Sequence, residues 1–225
     1  MNVLTLWLAS TNPGKLREFG GAAQARGVSV RPLAGLDRLP PCIEDGSTFE
    51  ENAKKKAVYY SELTDGLVFA DDSGLSVDAL GGGPGVFSAR FAGPQATDDE
   101  NNLRLIAELR RALGTGGWDG ARAHYVCVVA LARRGQLLAV TEGQAEGVIH
   151  ERPRGSGGFG YDPYFFYPPL GRTFAELSPE AKFAVSHRGE AFRKLLDAID
   201  LSRDKLPGDP EPGRLGRAGH SSVII

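Results

Sequence analysis

The chain has few of the residues that stabilise small secreted domains or hold structural metals. Only two of its 225 residues are cysteines, Cys42 and Cys127, and their separation matches no disulfide framework, zinc site or redox motif. No apolar run approaches the ~18 residues that span a bilayer, and no signal-peptide pattern follows Met1. We therefore expect a cytoplasmic protein with two reduced cysteines and no membrane contact.

An excess of positive charge is also missing. The formal net charge is -2, which disfavours nucleic acid as a partner because such binding rests on many phosphate contacts. Hydrophobic residues form 41% of the chain, enough at this length for one domain with a buried core. We expect one ordinary domain, or two small lobes around a cleft, over residues 1–200 and not two separate domains. Residues 201–225 are rich in proline, glycine and arginine, and we expect them to form an irregular tail.

The first motif follows an apolar run over residues 3–9, which predicts a buried strand. Asn12 suits a helix N-cap and Pro13 the first helical position, so a helix is expected to begin there. Its free N–H groups and positive dipole end, together with Lys15, would form an anion site. A plain polar turn is the alternative. The segment lacks the glycine spacing of a P-loop or a dinucleotide fold.

Two adjacent carboxylates follow the second buried strand, which is predicted over residues 67–70. The strand is expected to stop at Asp71 and Asp72, with Gly74 as a turn former. Adjacent carboxylates repel each other unless a cation neutralises them, and oxygen ligands beside phosphates suit Mg²⁺. Glu44 is a candidate third carboxylate. The alternatives are a solvated turn for the aspartates and a surface acid for Glu44.

The remaining elements are predicted from capping boxes and periodicity. The pattern Thr48-Phe49-Glu50-Glu51 opens one helix, and Thr97-Asp98-Asp99-Glu100 opens another, expected to be only scaffold with Leu103, Ile106, Ala107 and Leu113 on its apolar face. Two β-rich runs, over residues 121–132 and 137–147, predict an antiparallel hairpin. A final helix is expected from Gly189 to about Ile199. Strands thus occur in both parallel and hairpin settings.

A glycine-rich segment over residues 155–167 carries aromatic side chains. Phe159 and Tyr161 lie among glycines and are followed by Asp162, which suits a site where an aromatic ring stacks on a base and polar groups recognise it. Core packing is the alternative for such aromatic residues. His187 and Arg188 follow just before the last helix, where donors for a phosphate or a purine oxygen would gather.

Five ordered segments together resemble the inosine triphosphate pyrophosphatase family, also called the Ham1-like family. They are Ser10-Thr11-Asn12-Pro13-Gly14-Lys15, Thr48-Phe49-Glu50-Glu51-Asn52-Ala53 with Lys56-Ala57, Ala70-Asp71-Asp72-Ser73-Gly74-Leu75 continuing to Gly85-Val86-Phe87-Ser88-Ala89-Arg90, Gly157-Gly158-Phe159-Gly160-Tyr161-Asp162-Pro163, and Ser186-His187-Arg188-Gly189 preceded by Lys182. The resemblance extends along nearly all of residues 1–200. Lys54 and Lys55 depart from it, since the family often has an apolar residue there.

The resemblance implies an elongated α/β fold with a mixed β-sheet flanked by helices, a nucleotide-binding cleft between two lobes, and a homodimer. Asp72 is similar in position to the family's catalytic proton acceptor and metal-site carboxylate, and Glu44 to a further metal ligand. Asp45 is the alternative to Glu44, and Asp45 and Asp71 are candidates for additional ligands. Residues implied to contact the substrate are Ser10, Thr11, Asn12, Pro13, Gly14, Lys15 and Ser73 at the triphosphate, and Phe159, Gly160, Tyr161, Asp162, Lys182, His187 and Arg188, which include the contacts to the base.

The activity implied by the resemblance is Mg²⁺-dependent hydrolysis of ITP, dITP and XTP to the monophosphate and pyrophosphate, which removes these nucleotides from the pool. Asp72 would orient and deprotonate the water that attacks the α-phosphorus. One alternative is a related pyrophosphatase for modified pyrimidine nucleotides. Another is a nucleotide-sensing module without hydrolysis, which Asp71 and Asp72 disfavour because acids beside phosphates weaken anion binding unless a metal is present.

Overall fold

The computed structural model describes residues 3–114, 118 and 120–202. The strands are β1 (Leu4–Leu8), β2 (Val28–Pro32), β3 (Leu67–Val77), β4 (Ala121–Arg133), β5 (Gln136–Ile149), β6 (Phe165–Tyr167) and β7 (Arg172–Thr173). The α-helices are α1 (Pro13–Gln24), α2 (Phe49–Ser61), α3 (Asp98–Leu113), α4 (Pro179–Val185) and α5 (His187–Ser202). Most of the predicted irregular tail, from residue 203 onward, lies outside the described residues.

The strands form one mixed sheet in the order β2-β1-β3-β4-β5-β6-β7. β1 lies parallel to both β2 and β3, whereas the remaining pairs are antiparallel. The predicted α/β fold with a mixed sheet and flanking helices is therefore confirmed. The hairpin between β4 and β5 is also confirmed, although its loop is only Arg134 and Gly135, both at positive φ, as in a two-residue turn.

Three hydrophobic clusters hold the helices against the sheet. Phe19 of α1 and Phe192 of α5 pack on Phe69 of β3 in the first cluster, with ring centroids 4.9–5.5 Å apart. The second cluster carries α3 and the short strands β6 and β7. The third covers the opposite side of β3 with small residues of α2, among them Ala53 and Ala57.

The predicted end of the second strand at Asp71 was wrong. β3 continues to Val77 because β4 pairs with it antiparallel along ten positions, from Val68 opposite Ala132 to Val77 opposite Ala123. Gly74 is therefore a strand residue and not a turn former. A Cβ atom at position 74 would lie 2.4 Å from Ser88 Oγ and 2.6 Å from Gly85 O. Glycine at this position therefore permits the close approach of residues 85–90.

Two helix predictions need correction. On α3 the buried side chains include Leu105, Ile106 and Leu109, while Leu103, Leu113 and Ala107 of the predicted apolar face are exposed. Both sets have helical spacing, and only the packing surface distinguishes them. The last helix begins at His187 rather than Gly189 and continues to Ser202. Its predicted buried residues Phe192, Leu195, Leu196 and Ile199 are confirmed.

The capping box at Thr97 is confirmed, whereas the one at Thr48 is only half formed. Thr48 Oγ1 accepts from the Glu51 N–H at 3.1 Å, but the Glu51 carboxylate accepts from the N–H and hydroxyl of Ser47 instead of from Thr48. Both cysteines are free, as predicted. No helix in the described part of the chain is long and apolar enough to cross a membrane.

Candidate functional site

A cavity of about 710 Å³ lies where β1 ends and β3 continues. On β3, β1 pairs with Leu67, Val68 and Phe69, so the next residues of β3 have no strand beside them on that side among the described residues. Residues that line the cavity come from the loop after β1, the segment around Glu44, the middle of β3, residues 86–90, the start of α3, residues 159–162 and Arg188. Its size suits a drug-sized or nucleotide-sized ligand.

Asn12 caps α1 beside this cavity, as predicted. Its Oδ1 accepts from the N–H groups of Gly14 at 2.8 Å and Lys15 at 3.3 Å, while the Leu16 N–H donates to the Asn12 carbonyl. The predicted free N–H groups at this helix start are therefore wrong, because the cap residue already accepts from them. What this end offers an anion is the helix dipole, the Lys15 ammonium and the hydroxyls of Ser10 and Thr11.

Asp71 and Asp72 point to opposite sides of β3, since side chains alternate along a strand. Asp71 faces α1 and α5, where Lys15 Nζ lies 2.9 Å from its Oδ2. Asp72 faces α2, where Asn52 Nδ2 donates to its Oδ2 at 3.0 Å. Each carboxylate therefore has its own partners. A cation of the chain itself neutralises Asp71, as predicted for adjacent acids, whereas a metal at Asp72 stays a prediction.

The Asp71 carboxylate is fully buried and lies between two cations. Burial by itself would raise the pKa of Asp71, but Lys15 and Arg188 outweigh it and the pKa is lowered. Arg188 Nε lies 3.7 Å from Asp71 Oδ2, and Arg188 also donates to Ser73 Oγ at 3.0 Å. Asp71 is not among the residues that line the cavity, whereas Lys15 and Arg188 are. Asp71 therefore fixes these two cations from the protein interior.

Asp72 is half-buried and lines the cavity. Burial raises the pKa of the Asp72 carboxyl, and the negative charge of Glu44 adds to the increase, while Lys56 and the Asn52 hydrogen bond oppose it. A carboxylate with a raised pKa at a cavity wall is a better proton acceptor than an ordinary aspartate.

Glu44 lines the same cavity and forms an ion pair with Lys56 at 2.6 Å. The neighbouring Asp45 instead pairs with Lys55 outside the lining. Across the described residues, no group of three histidine, cysteine or acidic side chains is placed to hold a metal by itself. A metal here would need ligand oxygens as well, which is the usual situation for Mg²⁺ beside phosphates.

The glycine-rich segment places Phe159 against two cations. Lys182 Nζ and the Arg188 guanidinium each lie 4.7 Å from the centre of the Phe159 ring. Asp162, also buried, accepts from the Phe159 N–H at 2.9 Å and from Lys182 at 2.6 Å. The Tyr161 hydroxyl donates to the Ser88 carbonyl at 2.7 Å. Phe159, Gly160, Tyr161 and Asp162 all line the cavity.

Lys182 and His187 are brought to this region but lie behind the cavity wall, as do Pro13 and Gly14. Lys182 is buried and bridges Glu18 at 2.8 Å and Asp162. The His187 ring stacks on Tyr125 with centroids 4.5 Å apart. Burial lowers the pKa of His187 well below its ordinary value, and the charges of Arg188 and Lys182 add to this, so the ring is neutral.

For several residues of the site, the sequence predicted no role in the site itself. They are Glu18, Asn52, Lys56, Asp98 and Asn101. Glu18 lies one turn after Lys15 on α1 and pairs with Lys182 and Arg188. An acid one turn from a candidate anion-binding lysine is a usable signal, because residues three apart share a helix face. Asn52 lies in the quoted motif, but its contact with Asp72 depends on how α2 packs.

This arrangement is typical of α/β proteins that bind a phosphorylated ligand at the carboxyl end of a strand, beside a helix start. The model of the Ham1 family matches residues 6–198. The chain belongs to the Ham1 family.

Relatives and solved structures agree with this assignment. The dITP/XTP pyrophosphatase of Acidobacterium capsulatum is 46% identical over 202 residues, which cover 86% of this chain and 97% of that protein. The dITP/XTP pyrophosphatase of Geobacillus kaustophilus is 48% identical over 188 residues, covering 84% and 90%. A HAM1 protein from Coxiella burnetii matches with a TM-score of 0.76 and 39% identity, covering 88% of this chain and 99% of that structure. The Staphylococcus aureus Ham1 protein gives 0.75 and 36%, with the same coverage.

Proposed function

We propose that this chain hydrolyses the triphosphates of non-canonical purines, ITP, dITP and XTP, to the nucleoside monophosphate and pyrophosphate. The observation that carries the proposal is Asp72, a half-buried carboxylate with a raised pKa on the wall of a cavity that Lys15 and a capped helix start also line. The names of the relatives support the reaction and the purine class. Removing such nucleotides from the pool would be its cellular role.

The proposed step is attack of water on the α-phosphorus. Asp72 accepts the proton of the water, the new bond to the α-phosphorus forms, and the bond from that phosphorus to the bridging oxygen breaks as pyrophosphate leaves. Lys15 and the hydroxyls of Ser10, Thr11 and Ser73 would bind the phosphate oxygens. Asp71 keeps the Lys15 ammonium in place through their 2.9 Å ion pair. Most of the rate gain would come from positioning and electrostatics.

Mg²⁺ is the metal that fits the acids on the cavity wall. Asp72 and Glu44 both line the cavity, and the negative charge of Glu44 disfavours the charge of Asp72, which a divalent cation would relieve. Two carboxylates plus phosphate oxygens form a ligand set that Mg²⁺ accepts. The chemistry supplied by Mg²⁺ bound there is neutralisation of charge on the phosphoryl oxygens.

Base recognition is assigned to the second half of the cavity. Phe159 offers a ring for stacking, and Arg188, with Lys182 and His187 behind it, forms a region rich in hydrogen-bond donors. Donors suit the 6-keto oxygen of inosine and xanthosine and leave the 6-amino group of adenosine without an acceptor. A site built to hydrogen-bond one group rejects its unmatched analogue strongly.

The substrate assignment predicts a clear order in a nucleotide panel with Mg²⁺. We expect kcat/KM for ITP, dITP and XTP to exceed that for ATP by at least ~100-fold, because an unmatched 6-amino group would leave buried donors unpaired. Monophosphate and pyrophosphate should appear in equal amounts, which excludes stepwise loss of phosphate. GTP, with a 6-keto and a 2-amino group, tests the other edge of the base. Equal kcat/KM values for ITP and ATP would contradict the proposal, and preference for modified pyrimidine nucleotides would replace it.

The metal assignment predicts loss of hydrolysis in EDTA and a weakened metal response in Glu44→Gln. The Mg²⁺ concentration for half-maximal rate should rise by at least ~10-fold, the loss typical even of outer-shell partners. Asp45→Asn is the matched control, since Asp45 is also acidic and adjacent but pairs with Lys55 outside the cavity lining. A raised requirement in Asp45→Asn with a normal one in Glu44→Gln would transfer the role to Asp45.

A homodimer and the division of residues 1–200 into two lobes stay predictions, supported by the family to which the chain belongs. The cavity would then lie between the lobes.

A further inference from the structure

The first turn of α3 holds the glycine-rich segment at one residue, Gly160. Asp98 Oδ2 accepts from the Gly160 N–H at 2.6 Å, and Asn102 Nδ2 donates to the Gly160 carbonyl at 3.0 Å. Asp98 and Asn102 are four residues apart and so lie on one helix face. Both backbone groups of Gly160 are therefore bound by the same helix, which the sequence alone predicted to be only scaffold.

The start of α3 also holds a second segment of the cavity wall. Asn101 Oδ1 accepts from the Ala92 N–H at 2.8 Å, and its Nδ2 donates to the Ala89 carbonyl at 3.3 Å. Ala89 and Gly160 both line the cavity. Consecutive asparagines thus connect the segment of residues 88–92 to the glycine-rich segment through α3.

These contacts do more than stabilise the helix. The α3 start is already capped by Thr97 and Glu100, which bond each other's N–H groups. Asn102 is buried, and its Oδ1 has no hydrogen-bond partner within the described chain, which costs free energy. An amide at this position is a poor choice for stability alone, and what it provides is the bond to Gly160.

Fixing Gly160 fixes the neighbouring Phe159. Gly160 lies at φ +63°, a left-handed conformation that directs its backbone groups towards α3. The Phe159 N–H is held from the other side by Asp162 at 2.9 Å. With both flanks of Phe159 bound, its ring stays over Lys182 and Arg188.

We propose that Asp98 and Asn102 are positioning residues that set the place of Phe159 and thereby the discrimination between bases. The inference rests on the proposed function, since discrimination is measured on its substrates. Asn102 does not line the cavity, so it acts through Gly160 and not by touching the ligand. Asp98 does line the cavity. Its conservative variant Asp98→Asn removes the charge but keeps an acceptor for the Gly160 N–H, so it distinguishes a role of the hydrogen bond from a role of the charge.

The test compares Asp98→Ala, Asp98→Asn and Asn102→Ala with the wild type. The alanine variants should raise KM for ITP by ~10-fold or more and reduce the preference for ITP over ATP, with kcat changed by less than ~3-fold, because a displaced ring mainly weakens base binding. Asp98→Asn keeps an acceptor for the Gly160 N–H and should behave as the wild type. Asp98 is exposed, so its variants will fold even if Asn102→Ala does not.

The matched control is Ile106→Val, a buried change one turn further along α3. It should lower Tm by about 2–4 °C and leave KM and base preference unchanged. A second readout needs no activity: hydrogen–deuterium exchange across residues 157–162 should be faster in both alanine variants and unchanged in Asp98→Asn and Ile106→Val.

Unchanged exchange and unchanged base preference in the alanine variants would overturn the inference. Loss of function in Asp98→Asn equal to that in Asp98→Ala would also overturn it, since the charge would then be what matters. If the wild type hydrolyses none of the nucleotides, the proposed function fails, while faster exchange in the alanine variants still supports the tie between α3 and Gly160.

Discussion

Asp72→Asn is expected to lower kcat for ITP by at least ~100-fold while the protein stays folded and still binds nucleotide. The amide has nearly the shape of the carboxyl but cannot accept the proton of the attacking water. In the wild type, Asn52 Nδ2 and the Ser73 N–H each donate to one oxygen of the Asp72 carboxylate at 3.0 Å. The amide of the variant has one oxygen, so one of these two hydrogen bonds is kept. Single-turnover hydrolysis and calorimetric binding of nucleotide measure the two properties separately.

The stability of Asp72→Asn should differ from the wild type by less than ~1 kcal/mol. Burial raises the pKa of Asp72, so the folded state disfavours its charge and loses little when the charge is removed. Near-normal turnover in Asp72→Asn would remove this residue from the mechanism.

The first strand and helix could be predicted from sequence because their signals are local. The apolar run of β1, the Asn12 cap and Pro13 at the first helical turn all lie within a few residues. The N–H groups of Gly14 and Lys15 were wrongly predicted to be free. The side chain of Asn12, which was correctly predicted as the cap, accepts from both of them. Recognising a cap therefore also means counting the donors that it satisfies.

The length of β3 could not be predicted, because it depends on a strand more than 40 residues away. Val68 to Val77 pair with β4, whereas the pairing of β3 with β1 ends at Phe69. The cavity arises from this mismatch between two partners, which no local pattern encodes. Asp71 and Asp72 could be found from the sequence because they follow an apolar run, yet their opposite orientations follow only once the strand is known to continue.

Some residues of the site can be predicted from local sequence, whereas others depend on how the helices pack. Lys15, Asp72 and Arg188 lie in segments with glycine, proline or paired charges, which single them out. Asn102 lies inside an ordinary amphipathic helix and contacts Gly160, 58 residues away. The role of such a polar residue can be recognised only once the packing of α3 is known, and of the predicted buried face of α3 only Ile106 is buried.

Asp71→Asn, the same substitution one residue earlier, should have the opposite profile and lower the free energy of unfolding by about 3 kcal/mol. Asp71 is fully buried, and Lys15 and Arg188 outweigh the effect of burial so that its pKa is lowered. Removing the charge leaves Lys15 and Arg188 without the negative charge of their shared carboxylate. The loss is placed at the lower end for a broken buried pair because Lys15 keeps 16% exposure and Arg188 keeps Glu18 at 3.2 Å.

The contribution of the Asp71 charge to the free energy of unfolding depends on pH. A carboxyl whose pKa is lower in the folded state contributes stability above its unfolded pKa of ~3.9, and this stability is lost as the pH falls through the folded value. Urea unfolding at neutral pH should therefore separate Asp71→Asn from the wild type, and the gap should close in acid. Asp72→Asn is the matched control, with the same chemistry on the other side of β3. Equal unfolding free energies for the two variants at neutral pH would show that the 2.9 Å pair with Lys15 contributes no stability.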